Sequence, residues 1–369
     1  MTISRVEAFG RPYDYWYDRY QTYYREALRA HCTATGAAFA VVPTTRLPRI
    51  LAPMRRVRDR YLARLPGRWA TAGADGLAHL LEGPLHMPSS HFHNAVGQYR
   101  FRTEDGATVN VCIDSADYPE LRSPELVEWS DLYLKANRWP SETYPPNVRP
   151  VVNGDPMILP RISELRAQRS AEKEIDVCFV VRVWGGRREV EGIEHNLRLL
   201  EAVNRADCSK LLLAYLVAGD IPEISARLRR SGIPTTTRPV PPRTLWRLMA
   251  KSRLNVIRLG MHDCIPWRMA GSLAIGAAVV LDQPPRAEWP EPLREGVNYL
   301  SLGCVPDHGS VDDRYDSIPA LILEWLADRP RLEAVTRSNE QYFDDHVAPE
   351  RVGASIFTAV ESTIADRVA

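Results

Sequence analysis

The chain has 369 residues, 45% apolar and 25% charged, with a formal net charge of +1. That length suggests two domains, and that balance excludes a fully disordered chain, a collagen-like repeat and a multispan membrane protein. No run nears the ~18 consecutive apolar residues of a membrane helix. The opening MTISRVEAFGRPYDYWYDRY holds no apolar signal-peptide core. Six cysteines lie far apart with no CxxC pair. This speaks against a zinc ribbon or a redox motif and for reduced thiols in a cytoplasmic protein.

Charge is unevenly spread. Residues 1–68 carry 13 Arg and 5 acidic side chains, a net +8. Arg55, Arg56, Arg58, Arg60, Arg64 and Arg68 crowd one stretch. Residues 46–68 therefore suit an anionic partner, whether phosphate, nucleic acid or membrane face, or else form a solvated helix face.

In chain order, residues 13–33 read as a helix. Tyr13, Trp16, Tyr17, Tyr20, Tyr24 and Leu28 share one side at helical spacing, as a packed face or as a platform for stacking a sugar or base. Ala37–Val42 reads as a short buried strand, residues 50–64 as a basic helix and residues 76–81 as a short helix. His86, His91 and His93 follow in the loop-like LHMPSSHFHN. They read as polar surface or as a general base. A metal set lacks the helical HxxxH spacing and an acidic partner. Thr108–Asp114 (TVNVCID) alternates and ends in an acid. Asp114 is then either a base on a rigid strand end or a turn residue. Asp131–Lys135 is a further short strand. The proline-rich stretch 140–172 breaks both helix and sheet, so residues 151–172 read as a linker with little regular structure.

The second half is regular. Strands are expected at Ile175–Val183, Leu211–Val217, Thr235–Val240, Leu254–Leu259 and Ala277–Asp282. Helices are expected around 190–205, 221–231, 242–252 and 266–275. Further helices follow at 317–326, 331–346 and 349–366. Apolar runs alternating with helices are the pattern of a doubly wound parallel sheet, in which ligands bind beyond the carboxyl ends of the strands. Two strand ends there carry cations and glycines. One holds Arg182, Gly185 and Gly186. The other holds Arg258, Gly260, His262, Asp263 and Arg268. Pro266 suits the first turn of a helix, whose N–H groups would face an anion, and Arg268 would add a bidentate contact. Neither GxGxxG nor GxxxxGK[ST] occurs, so dinucleotide and P-loop fingerprints are missing.

The segment Arg268–Val280 (RMAGSLAIGAAVV) resembles the donor-site helix and strand of GT-B glycosyltransferases, in the flavour of the group 1, exostosin-like and spore-coat-type branches. Pro292–Leu300 resembles their following loop. The final helices, with Asn339, Tyr342 and Phe343, resemble their closing region. The resemblance covers about residues 175–350. It implies an α/β chain with two Rossmann-like lobes: an acceptor-side lobe at 1–150, a donor lobe at 173–347, and a terminal helix, 348–369, returning to the first lobe. It also implies a nucleotide-sugar co-substrate, with donor contacts at the strand-end residues just named and an acceptor-side base, Asp114 or His91. No cofactor or metal is expected, since Arg182, Arg258 and Arg268 would meet the diphosphate charge and no Asp-x-Asp closes a strand. One position departs from the family: its ribose-holding acid is Gly271 here, leaving Asp263 or Glu288 as substitutes. That departure and the basic segment keep a second reading open, a non-catalytic relative that binds nucleic acid or another polyanion. A sugar-nucleotide epimerase of the same fold is a third.

Overall fold

The computed structural model describes residues 2–10, 18–43, 95–121, 123–183, 190–217, 221–304 and 312–368. The expected helices at 50–64 and 76–81, the basic stretch 46–68, His86, His91, His93, Gly185 and Gly186 lie outside the described residues. The chain is α/β and divides into two units. One is Met1–Pro156 together with Pro349–Ala369, the other Met157–Ala348.

The first unit holds a six-stranded sheet. Its strands are β1 (Ile3–Gly10), β2 (Ala38–Pro43), β3 (Val96–Thr103), β4 (Thr108–Asp114), β5 (Leu132–Lys135) and β6 (Val148–Pro150). The order is β2-β1-β3-β4-β5-β6. Only β3 runs against its neighbours β1 and β4; the other pairings are parallel. A tight reversal joins β3 to β4. Thr103 N–H donates to the Ala107 carbonyl at 3.0 Å, and Gly106 takes φ +89°, a conformation that costs other residues more. Helix α1 (Asp18–Thr35) buries Tyr23, Tyr24, Ala27 and Leu28. The Tyr24 hydroxyl donates to the Val152 carbonyl at 2.8 Å. The described part of the aromatic face is therefore packed core rather than a stacking platform. A short helix, α2 (Pro124–Trp129), leads into β5.

The terminal helix, Pro349–Val368, belongs to this unit and packs on α1. Its buried Val352, Ile356, Val360 and Ile364 recur every fourth residue, which places them on one face. Phe357 meets His31 at 4.4 Å and Phe101 at 5.5 Å between ring centroids. Gly353 permits the close approach, because a Cβ there would lie 2.3 Å from the Ala27 carbonyl oxygen.

The second unit is entered at Met157, within the stretch read as an irregular linker. That reading needs correction. Residues Leu159–Arg161, α3 (Ile162–Ala167) and Gln168–Ser170 form successive short helical turns. Arg166 and Arg169 pair with Asp344 at 2.9 and 2.7 Å. These pairings outweigh the desolvation of Asp344 and hold its carboxyl below the usual carboxylate range. Prolines at N-terminal helix positions are tolerated, so proline density alone overstated the irregularity.

The sheet of this unit is all parallel. Its strands are β7 (Ile175–Val183), β8 (Lys210–Leu216), β9 (Thr235–Thr236), β10 (Ser252–Ile257), β11 (Val279–Leu281) and β12 (Leu300–Ser301). Their order is β12-β11-β10-β7-β8-β9. The helices are α4 (Val190–Arg205), α5 (Pro222–Arg230), α6 (Pro242–Ala250), α7 (Arg268–Ala274), α8 (Asp312–Ala327) and α9 (Arg329–Tyr342). Val177, Phe179, Val181 and Val183 of β7 alternate into a core with Leu200 and Val203 of α4 and Ile318 and Ile322 of α8. The third strand is shorter than expected, with only Thr235 and Thr236 in the ladder. No helix among the described residues is long and apolar enough to cross a membrane.

Candidate functional site

The order of the second sheet places the candidate site. The chain lays down β7, β8 and β9 outward in one direction. It then returns to β10 beside β7 and continues outward through β11 and β12. The order reverses between β7 and β10, and open parallel sheets bind ligands beyond the carboxyl ends of their strands at such a point. Arg182 is the penultimate residue of β7, and Arg258 directly follows β10. The two predicted cations therefore stand on the two strands that flank the reversal. The Arg182 side chain is exposed and Arg258 is half-buried. Among the described residues neither guanidinium forms an ion pair. Arg258 lies alongside α4, its Nη2 3.1 Å from where a Cβ on Gly192 would stand.

The loop after β10 has unusual backbone. His262 and Asp263 both adopt left-handed conformations, φ 53° and 52°, which cost residues other than glycine ~1–3 kcal/mol each. Several bonds over-determine the loop. Leu259 N–H donates to Asp282 Oδ1 at 2.9 Å, and Gly260 N–H to the Cys264 carbonyl at 2.9 Å. Gln283 Nε2 donates to Asp263 Oδ1 at 2.7 Å, and Arg286 pairs with Asp263 Oδ2 at 3.3 Å. Gly260 is required by close packing, since a Cβ there would lie 2.3 Å from Cys264 Sγ. His262 is exposed on this loop.

Two expectations about α7 are corrected. The helix starts at Arg268, not Pro266, and has seven residues. Its first N–H groups are not open to an anion: Met269 N–H donates to the Pro266 carbonyl at 2.8 Å and Ala270 N–H to that of Trp267 at 3.1 Å. Arg268 reaches back across the sheet, where Nη1 donates to the Val180 carbonyl of β7. At least one of its donors is thus spent on the fold.

Position 271 is closed. A Cβ on Gly271 would lie 2.5 Å from Trp246 Nε1 and 3.2 Å from Cε2, and Trp246 is 2% exposed. The indole of α6 fills the space that an acid in the family pattern would enter. Gly271→Glu is expected to destabilise the second unit by about 1–3 kcal/mol through overpacking, read as a lower urea midpoint. Unchanged stability would mean that Trp246 swings away freely.

In the first unit Asp114 ends β4, as expected, but its carboxylate is occupied. Tyr133 hydroxyl and Lys135 Nζ each donate to Oδ2 at 2.9 Å, and Ala116 N–H donates to Oδ1 at 2.9 Å. Asp114 is 3% exposed and Lys135 is fully buried. Burial and the Asp114 carboxylate together push the Tyr133 phenol far above its ordinary range, so it stays a donor. A general base needs an oxygen within reach of its proton, and here Lys135, Tyr133 and Ala116 N–H all bind the Asp114 carboxylate. Asp114 is the acidic partner of a buried ion pair with Lys135.

The sequence reading missed a buried polar relay at the same sheet edge as the site. His195 of α4 lies 2.9 Å from Asp282 Oδ2 through Nε2, and 2.6 Å from the Tyr315 hydroxyl through Nδ1. Burial pushes Tyr315 up to about 12. Asn196, next to His195, donates to the Arg182 carbonyl at 3.1 Å. Only Asp282 left a trace in the sequence, as an acid closing an apolar strand like Asp114. Its partner His195 lies 87 residues away, and Tyr315 lies 120 residues beyond His195. Among the described residues no group of three or more His, Cys, Asp or Glu converges as a metal site.

No protein-family model and no curated protein matches the chain. Solved structures of similar shape include Anabaena HepE in complex with UDP and glucose, at 10% identity, covering 98% of this chain and 100% of that one with a TM-score of 0.45. A glycosyltransferase from Rickettsia africae is similar at 7% identity over 98% and 99% of the chains, TM-score 0.47. A putative UDP-N-acetylglucosamine 2-epimerase from Listeria monocytogenes is similar at 12% identity over 98% and 96%, TM-score 0.45. At these scores the site's chemistry rests on this chain's own topology and side chains.

Proposed function

We propose that this chain is a glycosyltransferase of the GT-B type. It takes a sugar from a nucleotide-sugar donor and passes it, without a metal, to an acceptor. The observation that carries the reading is the pairing of Arg182 and Arg258 across the sheet reversal. Two cations without carboxylate partners among the described residues stand at the carboxyl ends of the two strands that flank the reversal, the end at which open parallel sheets bind ligands. The terminal helix packed into the first unit agrees with the two-lobe organisation implied by the sequence resemblance.

The chemistry follows from charge. As the glycosidic bond breaks, negative charge builds on the leaving diphosphate, and cations fixed before the reaction lower the barrier without reorganising. Arg182 and Arg258 are the proposed partners of the diphosphate oxygens, with Arg268 behind them, tied to β7. Gly260, Gly185 and Gly186 would allow close backbone approach, and His262 and Asp263 would face the donor from the strained loop. An inverting reaction also needs a base for the acceptor hydroxyl. Asp114 and His91 are the proposed candidates for that base, Asp114 on condition that it is released from Lys135 during the reaction. The test is a thermal-shift panel of nucleotide sugars and their diphosphates, with and without EDTA. One nucleotide series raising the midpoint irrespective of EDTA is expected; no shift with any member would overturn the reading.

A further inference from the structure

We propose that Asp282 is the positioning residue of the donor loop. It holds Leu259–Asp263 in place from below and, through His195 and Tyr315, locks that loop to α4 and α8. The inference rests on the donor-site reading above and adds a residue to it.

Asp282 sits one residue past β11, is 1% exposed, and has both carboxylate oxygens engaged. Oδ1 accepts the Leu259 N–H at 2.9 Å. Leu259 follows Arg258 and opens the strained turn, so this bond fixes the direction in which the chain leaves β10. Oδ2 accepts from His195 Nε2 at 2.9 Å. A carboxylate cannot donate, so the proton on that edge belongs to Nε2. In the neutral imidazole Nδ1 is then the acceptor for the Tyr315 hydroxyl 2.6 Å away. The Asp282 carbonyl also accepts the Cys304 N–H at 2.7 Å, beyond β12. Among the described residues, Leu259 and Cys304 face the relay at Asp282, and Cys304, Arg198 and Glu194 act on Tyr315, with Arg198 5.8 Å from its ring.

Asp282 therefore ties together the pieces that carry the proposed diphosphate contacts. Arg258 precedes the amide it binds. Asn196, beside His195, holds the Arg182 carbonyl at 3.1 Å, and Gly192, one turn earlier on α4, is the surface against which Arg258 lies. Side-chain partners that orient ligand-contacting groups fix the geometry on which anion recognition depends. A structural carboxylate would add only stability. A positioning carboxylate controls the order of one loop and the affinity of one ligand.

The experiment compares wild type, Asp282→Ala and Asp282→Asn in amide hydrogen exchange and in calorimetric binding of uridine diphosphate and its analogues. Asparagine keeps an oxygen for Leu259 N–H, whereas alanine does not. Wild type should protect the Leu259 amide as strongly as the β10 amides. Asp282→Ala should lose that protection at 259–263 and bind the diphosphate at least tenfold more weakly, and Asp282→Asn should restore both to within about threefold. Should the alanine variant not fold, rapid exchange of the Leu259 amide in wild type would by itself overturn the proposal. Intact protection in Asp282→Ala would overturn it, as would lost protection with unchanged affinity, or no rescue by asparagine. If wild type binds no nucleoside diphosphate while exchange follows the expected pattern, the loop-holding role stands and the donor-site reading falls.

Discussion

Lys135→Met is expected to destabilise the first unit by ~3–5 kcal/mol, because breaking a buried pair leaves an uncompensated charge. Lys135 is fully buried and its ammonium donates to Asp114, itself buried at the end of the neighbouring strand. The strands pair Asp114 directly with Lys135 in register, so neither side chain can turn to water without breaking the ladder. In the variant Tyr133 and Ala116 N–H still donate to the carboxylate, but two neutral donors do not balance a full charge. The double variant Asp114→Asn with Lys135→Met should regain most of the loss, since an amide can still bond both. Urea unfolding checks this. A single variant within ~1 kcal/mol of wild type would mean that water reaches the pair.

Replacing both Arg182 and Arg258 by alanine is expected to weaken nucleoside diphosphate binding by at least about a hundredfold. Each charge-assisted hydrogen bond is worth ~1.5–3 kcal/mol, and every 1.4 kcal/mol is about tenfold in affinity. The folded state should tolerate the change, because Arg182 is exposed and neither side chain forms an ion pair with a described residue. The control is the free nucleoside, which lacks phosphate and should bind both proteins alike. Equal losses for nucleoside and diphosphate would place the arginines elsewhere in the site.

The second unit was legible because parallel strands buried on both faces are continuous apolar runs. Ile175–Val183 and Val190–Arg205 were expected as the structure has them. The first sheet was harder. β1 carries Arg5 and Glu7, and β3 carries Arg100 and Arg102, so each reads as polar until its partner is known. Glu7 is paired with Arg5 of its own strand at 3.1 Å and with Arg102 of β3 at 3.4 Å, and the second pairing exists only once β1 and β3 lie side by side. The site divides the same way. Arg182 and Arg258 could be named from position along the chain, because a strand end is a local feature. The roles of Asp114 and Asp282 could not. Both are acids closing apolar strands, and only the partners brought in by the sheet show that one neutralises a lysine and the other holds a loop.

The central claim, sugar transfer from a nucleotide donor, is tested most directly by following a bound nucleotide sugar by proton and phosphorus NMR with water as the acceptor. Slow release of free sugar and nucleoside diphosphate, absent without the protein and lost when Arg182 and Arg258 are both replaced by alanine, is the predicted result. A nucleotide sugar that binds and is recovered with its glycosidic bond intact, unchanged or altered only at one sugar stereocentre, would contradict it.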